Sequence, residues 1–494
     1  MARGLLTLCV SALAAVAGAA KSADVVFYNG NIYTMCPGNS MATAMAVRGG
    51  KIEYVGNKKQ AHTYIGKNTK VIDLEGRMAM PGLVDSHMHV ISGGLSLLKC
   101  DLSYQTLSLA ETLEHIQGCL DDETDKTDDD WLEVVNMDYA GLVSKSGTVG
   151  KKQLDKLSTK RPVFIRSSDY HTVLANSRAL ELSGIDENTK DPVGGKVDRL
   201  PGSKEPSGSL QDGARDLIKV PPPSDAENLE AARAALKLLR EAGITTFQEA
   251  AAADTHHEVF DTIRKEGGLS ARGYFDFWVE TPDSVDGVPA LVKNVTDTIK
   301  PFNDKKPLGP KPSLKWQAIK AFIDGVITYP SNTAALIEPY WAPVDGNENG
   351  TWAPDKNSLT DPYWKPAVLT KTLEALFLAG IDAQLHVDGD LAVRIALDAA
   401  ESFRKKHPGK DIRLGLAHDE LSHQDDWGRF AKLGVDPIVS YQWSQLSSFY
   451  IPNTFNSLAE YRLNNLQAWA QIEKRGRPLV YGSDWPVSFP LVEF

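Results

Sequence analysis

The chain contains little cysteine, with four residues among 494. Cys9 lies in an apolar N-terminal stretch, which leaves Cys36, Cys100 and Cys119 in the rest of the chain. Three thiols allow at most one internal disulfide, so the sequence does not encode a small scaffold held together by disulfides. No two cysteines have the Cys-x-x-Cys spacing that zinc knuckles use.

Basic residues are fewer than acidic residues. Lys and Arg number 53 against 64 Asp and Glu, which gives a formal net charge of -11. No run of Lys and Arg forms a basic patch, and this argues against nucleic acid and anionic lipid headgroups as partners. The hydrophobic share of 42% and the charged share of 24% are those of an ordinary folded protein.

No stable membrane span is expected near the N-terminus, because a spanning helix needs about 20 apolar residues. The stretch from Leu5 to Ala19 is shorter and rich in Ala and Gly. It follows Arg3 and ends in the small-x-small pattern AGA, so residues 1–19 are predicted to be a cleaved secretory signal peptide and the protein to be secreted. A membrane anchor is the alternative interpretation of this stretch.

The length of 494 residues exceeds that of an average domain, but a barrel with additions reaches it as one catalytic unit. Strand signals separated by Asn-Gly and Gly-Gly turns predict that residues 24–80 form a small β unit, a sheet outside the part of the chain that follows. Residues from about 102 to 225 read as an insertion. This region is irregular, with Pro- and Gly-rich stretches and an acidic run, DDETDKTDDD, that is expected to be a solvated loop.

From Ala226 onward, segments with helical periodicity alternate with short apolar runs. Each helical segment ends in Gly and the apolar run follows at once, as in EALFLAG followed by IDAQLHV. Continuous rather than alternating apolar strands are typical of a parallel sheet covered on both faces. The number of these units favours a closed barrel, so residues 81–494 are predicted to form an α/β barrel.

Polar residues end these apolar runs, at the predicted carboxyl ends of the strands. PGLVDSHMHV ends in His87 and His89, which point to the same side of a strand and can reach one ion. The corresponding positions in later strands are Lys320, His386, His418 and Asp484. The carboxyl ends of barrel strands form the face on which active sites assemble. Imidazole and carboxylate ligands suit Zn²⁺ and its neighbours in the first transition series.

Each of these residues also has an explanation that needs no metal. A single histidine at a strand end is more often a hydrogen-bonded core or loop residue than a ligand. Lys320 could pair with Asp324, and Asp484 could cap a helix. The metal interpretation rests on the coincidence of four histidines and an aspartate at the same end of the β elements. Lys320 is unusual there, because burial disfavours an ammonium and a cation repels it.

Together these segments resemble the amidohydrolase superfamily of metal-dependent hydrolases, and more closely the amidohydrolase family 3 branch that includes N-substituted formamide deformylases. The resemblance runs from about Asp24 to the C-terminus. It rests on the segments PGLVDSHMHV, NSRALELSGI, DPVGGKVDR, EPSGSLQDGA, GITTFQEA, IKAFIDGV, LHVDGDLAV and YGSDWPV. It implies a distorted (β/α)8 TIM-type barrel, with residues 24–80 as the N-terminal part of a small β-sandwich.

The resemblance also implies a centre of two divalent metals, with zinc as the expected metal. The implied ligands are His87, His89 and Asp484 for the first ion, and His386 and His418 for the second. Lys320 corresponds to a lysine that CO₂ converts to a carbamate. Carboxylated Lys320 would link both ions, which explains why a lysine lies in this site.

The implied reaction is hydrolysis of a non-peptide C-N bond, of amide or N-formyl type, in a small molecule. A bound metal lowers the pKa of water towards ~7 and so supplies hydroxide. Asp484 is expected to take the proton as hydroxide attacks and to pass it to the departing nitrogen. His171 matches a histidine position of this branch and is predicted to bind substrate, with a packing role as the alternative. Glu249, Trp443 and Trp485 could line the pocket.

Other functions remain open because superfamily members share the metal centre and differ in their loops. Deamination and lactone hydrolysis are the enzymatic alternatives. The family continues past the Asp484 motif with a last barrel helix and further sandwich strands, which are expected to be missing here because the sequence stops at Phe494. A truncated, non-catalytic barrel or a binding glycoprotein is therefore a further alternative. HVDGD departs from the small apolar residues usual in that motif, and a homo-oligomer is compatible with the sequence.

Overall fold

A computed structural model describes residues 22–36, 38–146, 149–192, 195–302, 309–329, 331–346, 350–445 and 453–487. The predicted signal peptide, residues 1–19, lies outside the described residues, as do the last seven residues. The chain divides into two compact units. One comprises the described residues of Met1–Leu83 and Lys306–Ser313, and the other those of Val84–Lys305 and Leu314–Phe494. No helix in the described part of the chain is both long and apolar enough to span a bilayer.

The first unit is a mixed β-sheet with one short helix. Its elements are β1 (Val25–Cys36), β2 (Asn39–Arg48), β3 (Lys51–Gly56), α1 (Lys58–Ala61), β4 (Lys70–Asp73) and β5 (Met78–Ala79). The sheet order is β3-β2-β1-β4, and β5 pairs with β1. Gly49 and Gly50 connect β2 to β3 with φ values of 55° and 71°, a left-handed turn that glycine adopts without strain. Val26, Ala44 and Ala46 form the buried face of this sheet.

The second unit contains a sheet of its own outside the barrel. Its first elements are β6 (Leu83–Met88), α2 (Val90–Ser96), β7 (Cys100–Asp101), α3 (Leu109–Asp122), β8 (Leu132–Met137), α4 (Tyr139–Ser146), α5 (Lys151–Leu154), β9 (Val163–Ser167), β10 (Thr172–Ala175), α6 (Ser177–Ser183), β11 (Gly195–Arg199) and β12 (Pro206–Asp212). Six of these strands form one sheet in the order β11-β12-β10-β9-β8-β7. The sequence-based description of this region as irregular is therefore wrong.

The insertion has an apolar core, which explains why it folds. Val134, Ile165 and Leu174, from three neighbouring strands, are fully buried in one cluster. The strands are only two to seven residues long, and charged or Pro- and Gly-rich connections separate them, so they carry little periodicity along the sequence. The one internal disulfide that the cysteine count allows joins Cys100 of β7 to Cys119 of α3. The acidic run, residues 121–130, spans the end of α3 and the exposed loop that follows.

The remaining elements complete the barrel. They are α7 (Asp225–Glu241), β13 (Ile244–Ala252), α8 (Asp254–Lys265), β14 (Arg272–Trp278), α9 (Val288–Ile299), β15 (Leu314–Phe322), the hairpin β16 (Trp341–Pro343) and β17 (Trp352–Pro354), α10 (Pro366–Leu378), β18 (Asp382–Val387), α11 (Asp390–Lys406), β19 (Leu414–His418), α12 (Trp427–Leu433), β20 (Asp436–Val439), α13 (Asn453–Ser457), α14 (Glu460–Leu463), α15 (Trp469–Lys474) and β21 (Val480–Tyr481). Eight strands lie in the order β6-β13-β14-β15-β18-β19-β20-β21. The predicted α/β barrel is confirmed.

Backbone hydrogen bonds join the two ends of this sheet. The amide of Asp484 donates to the carbonyl of His87 over 2.8 Å, and the amide of His89 donates to the carbonyl of Trp485 over 2.8 Å. The segment after β21 thus lies beside β6 and nearly closes the barrel. Every strand from β13 to β21 in this sheet pairs in parallel with its neighbours, so the carboxyl ends meet on one face.

Helix α2 follows His89 directly and packs closely on α7. A β-carbon added to Gly94 of α2 would lie 2.1 Å from the carbonyl oxygen and 2.5 Å from the carbonyl carbon of Ala231 in α7. Both atoms belong to the backbone, so no side-chain rotation can make room. The absence of a side chain at Gly94 therefore sets the distance between these helices beside the first histidine pair.

We predict that Gly94→Ala destabilises the protein. Overpacking against a rigid backbone costs roughly 1–3 kcal/mol, and the thermal or urea unfolding midpoint should fall accordingly. Gly118→Ala is the matched control, because Gly118 lies in α3, is exposed, and its added β-carbon meets nothing within 4 Å. That control should gain roughly 0.5–1 kcal/mol from helix propensity. An unfolding midpoint of Gly94→Ala equal to that of the wild type would contradict the packing argument.

Candidate metal centre

The barrel carries all six predicted ligands at the carboxyl ends of its strands. His87 lies in β6, Lys320 near the end of β15, His386 in β18 and His418 at the end of β19. His89 immediately follows β6, and Asp484 lies three residues after β21. All of them except His89 are buried.

His87, His89 and Asp484 form the tightest group. Oδ1 of Asp484 lies 3.2 Å from Nε2 of His87 and 3.1 Å from Nε2 of His89. One ligand atom from each residue falls within 4.8 Å of the others, a spacing at which a single ion can bind all three. The two imidazoles converge because their positions, i and i+2, lie on one side of an extended segment.

His386 and His418 form a second pair next to this group. Their ring centroids are 4.6 Å apart, and the ring of His418 is 4.9 Å from that of His87. Nδ1 of His418 lies 3.8 Å from Oδ2 of Asp484. Nε2 of His386 lies 3.0 Å from the carbonyl oxygen of Gly325. A carbonyl only accepts hydrogen bonds, so Nε2 of His386 carries the proton and Nδ1 keeps the lone pair that a metal would use.

Lys320 is completely buried next to His87. Its Nζ lies 3.3 Å from Nε2 of His87 and 4.9 Å from the centroid of the Phe322 ring. Burial lowers the pKa of Lys320 to about 8. No ion pair joins Lys320 to Asp324 in the described part of the chain, although the sequence left that alternative open; the carboxylate of Asp324 accepts hydrogen bonds from backbone amides that include those of Asp388 and Gly389. The amine of Lys320 therefore lies beside the imidazole of His87 and is not paired with Asp324.

The protonation of these residues suits metal binding. Burial lowers the pKa of His87 to about 4 and places the pKa values of His386 and His418 well below the ordinary value. The imidazoles of His87, His386 and His418 are therefore neutral at pH 7, which is the form that coordinates a metal. Oδ1 of Asp484 is buried and accepts no hydrogen bond from the described residues. Neutral imidazoles around a carboxylate oxygen with no hydrogen-bond donor fit a divalent transition metal.

Gln384 of β18 is a supporting residue that sequence reasoning missed. Its Oε1 is hydrogen-bonded to Nδ1 of His87, and its Nε2 donates to the carbonyl of Ser86 over 3.0 Å. The second bond fixes the amide orientation, so Oε1 accepts the Nδ1 proton and the lone pair of His87 stays on Nε2. The only sequence signal was a polar residue inside an otherwise apolar strand.

Two buried carboxylates hold the backbone around the histidine pair. Oδ1 of Asp85 accepts from the amides of His87 and Ser483, both over 3.1 Å, and so links β6 to the segment that carries Asp484. Oε2 of Glu249 accepts from the amide of Val90 over 2.7 Å at the start of α2. The sequence raised Glu249 as a residue that could line the pocket, whereas the structure gives it a helix-capping contact.

His171 reaches the centre from the insertion. Its Nδ1 lies 2.6 Å from Oδ1 of Asp212, and its ring centroid is 6.1 Å from that of His386. The predicted substrate-binding histidine therefore lies beside the second histidine pair. Asp212 was not singled out from the sequence. Trp443 stacks on His418, with ring centroids 4.9 Å apart and an interplanar angle of 9°.

A family model described as the amidohydrolase family matches residues 70–491. The chain belongs to the amidohydrolase family. It is therefore a metal-dependent hydrolase, and the prediction of a hydrolase of this type is confirmed. The match covers the first histidine pair, Lys320, the second histidine pair and Asp484.

Individual amidohydrolase relatives align along most of the chain. Protein LONG AFTER FAR-RED 3 from Arabidopsis thaliana is 28% identical over 478 residues, which cover 94% of this chain and 76% of the relative. N-substituted formamide deformylase from Arthrobacter pascens is 25% identical over 441 residues, which cover 86% of this chain and 75% of the relative. The fold resembles that of an uncharacterised metal-dependent hydrolase from Pyrococcus horikoshii OT3, with a TM-score of 0.66, 20% identity, and coverage of 94% of this chain and 83% of that chain.

We predict that Gln384→Leu weakens zinc binding by roughly 10–100-fold, because the amide no longer holds the His87 tautomer. Gln384→Glu keeps an acceptor for Nδ1 and should retain most of the affinity. Titration of metal-free protein with zinc against a competing chelator measures both values. An unchanged zinc affinity in a folded Gln384→Leu protein would show that His87 needs no such support.

Proposed function

We propose that this amidohydrolase cleaves a non-peptide C-N bond in a small amide or N-formyl compound. The observation that carries the proposal is the convergence of four imidazoles, the Asp484 carboxylate and the buried Lys320 amine on one face of the barrel. The similarity to an N-substituted formamide deformylase over 86% of the chain supports this bond type.

In this proposal the centre holds two divalent ions, which we expect to be zinc. His87, His89 and Asp484 would hold the first ion, His386 and His418 would hold the second, and Lys320, once carboxylated, would add a carbamate ligand. When bound, such ions activate water and polarise the scissile bond. The neutral imidazoles and the position of Lys320 beside His87 support this ligand set.

Asp484 is proposed to move the proton that the reaction requires. Water must lose a proton as it attacks the carbonyl carbon, and the departing nitrogen must gain one before the C-N bond breaks. Oδ1 of Asp484 faces His87 and Oδ2 faces His418, so the carboxylate lies between the first and the second histidine pair. One carboxylate can then serve first as general base and afterwards as general acid.

His171 is proposed to donate a hydrogen bond from Nε2 to the substrate. Its Nδ1 is held by Asp212, a buried residue, so the proton on Nδ1 is directed to the carboxylate and the ring orientation is fixed. A hydrogen bond on one ring nitrogen leaves the other free for the ligand. In this proposal Asp484 transfers the proton and His171 positions the substrate.

Export from the cell is part of the proposal. The Cys100–Cys119 disulfide supports it, because such bonds persist in oxidising compartments.

We predict about two metal ions per chain in protein prepared with zinc and bicarbonate, and a clearly lower content in Lys320→Ala, which has no amine to carboxylate. Lys315→Ala is the matched control, because Lys315 lies in the same strand at the opposite end. Elemental analysis of purified protein measures the content. A folded wild-type protein without metal would contradict the ligand set.

We predict that the zinc-loaded wild type releases formate or amine from some member of a panel of N-alkyl and N-aryl formamides and simple amides. His171→Asn and Asp212→Asn should lower kcat/KM about 10²-fold by removing the oriented donor. His423→Asn, at a partly exposed histidine outside the centre, is the control and should keep wild-type activity. Absence of turnover across the panel by loaded wild type would argue against the C-N bond assignment, whereas full activity in both variants would argue against the role of His171 alone.

A further inference from the structure

A second cluster of metal-binding side chains lies outside the barrel, in the insertion. Cys100 of β7 and both His115 and Cys119 of α3 each offer one ligand atom, and these atoms lie within 4.8 Å of one another. His115 and Cys119 are four residues apart on one helix and therefore share a face. Cys100 and Cys119 are joined as a disulfide, with Cα atoms 5.9 Å apart.

The cluster lies at the edge of an apolar core and opens towards solvent. Cys100 is only 7% exposed and packs in the cluster that includes Ile116, and Cys119 is partly buried against the same core. His115 is exposed. The two cysteines therefore lie on the protein side of the cluster and the histidine on the water side, where a cation from solvent can reach it.

The charge around the cluster also favours a cation. Residues 111–130 contain nine Asp or Glu and one Lys. This stretch comprises most of α3 and the exposed acidic loop that follows it. Clustered negative charge raises the local concentration of cations and repels anions. The acidic run therefore favours cation binding at this cluster, and it plays no part in the chemistry proposed for the barrel.

We propose that Cys100, His115 and Cys119 form a redox-gated site for a thiophilic divalent cation of the Zn²⁺ class. Two thiolates and one imidazole are a common donor set for zinc. A thiol reductant opens the site by supplying two electrons and two protons, which convert the disulfide into two thiols while the reductant becomes its own disulfide. A cation that then binds both sulfur atoms displaces those two protons as the thiolates form.

The proposed site gives the same two elements alternative crosslinks. In the oxidised protein a covalent bond ties β7 to α3, and in the reduced protein the cation ties the same residues with His115 as an additional ligand. β7 is a two-residue strand at the edge of the six-stranded sheet and pairs with β8 alone among the described strands, and the crosslink adds a connection to α3. The inference is independent of the proposed function, because it uses none of the barrel ligands.

Cobalt substitution in the full-length protein tests the site. The protein is reduced with a phosphine without oxygen, freed of reductant and titrated with Co²⁺. A thiolate-to-cobalt charge-transfer band in the near ultraviolet reports sulfur ligation alone, and none of the six barrel ligands contains sulfur. We expect this band in the reduced wild type, with an amplitude that corresponds to about one sulfur-bound Co²⁺ per chain, and no band in the oxidised protein.

Variants separate three-ligand binding from simple dithiol binding. Cys119→Ser should abolish the band, and His115→Ala should weaken the Co²⁺ affinity by about tenfold or more. Cys36→Ser is the control, because Cys36 lies in the other unit and should leave the titration unchanged. If Cys119→Ser fails to fold, the exposed His115→Ala still decides the question. A reduced wild type with native circular dichroism but no band, or an unchanged affinity in His115→Ala, would overturn the proposal.

Discussion

The candidate metal centre depends on one long-range contact, the pairing of the segment after β21 with strand β6. The amide of Asp484 donates to the carbonyl of His87, and the carboxylate of Asp85 accepts from Ser483, 398 residues further along the chain. These bonds place the Asp484 carboxylate against both imidazoles of the first pair. Neither segment holds this geometry alone, so the site forms only when the barrel closes. Such closure brings together side chains that are separated by most of the chain.

Burial shifts the pKa values of the residues at this site, and it also costs free energy because polar groups are removed from water. Neutral imidazoles, a buried amine and buried carboxylates are expensive to remove from water unless each has a partner. Asp388 illustrates this cost, since burial and the nearby Glu420 and Asp324 raise its pKa well above the ordinary value and neither of its oxygens has a hydrogen-bond partner in the described part of the chain. Its Oδ2 lies 3.8 Å from Nε2 of His386. The hydrogen bond from Nε2 of His386 goes to the carbonyl oxygen of Gly325 instead, so this carboxyl group is buried without a compensating partner among the described residues.

The sequence predicts the barrel and the six candidate ligands because both leave local signals. Gly243 and Gly380, with φ values of 77° and 76°, follow the ends of helices just before buried strands. A glycine between a helical and an apolar segment can be recognised in the sequence alone. The His-x-His pattern is equally local. The supporting residues leave no local signal, because their partners lie far away in the sequence. Gln384 is 297 residues from His87, and Asp212 is 41 residues from His171. The sheet of the insertion was missed for the same reason, since its short strands are specified by their partners rather than by their own periodicity.

The proposed metal ligands and the proposed substrate-binding histidine lie on different parts of the fold. The proposed ligands lie on barrel strands or directly after them, whereas His171 immediately precedes β10 and Asp212 ends β12, in the insertion. The amide of Asp212 donates to the carbonyl of His171 over 2.7 Å, and the two side chains are joined by a second bond of 2.6 Å. Two bonds between paired strands hold the imidazole in one position before substrate arrives, which reduces the ordering cost of binding. If His171 binds substrate as proposed, changes in the insertion would alter substrate choice without changing the proposed ligands on the barrel.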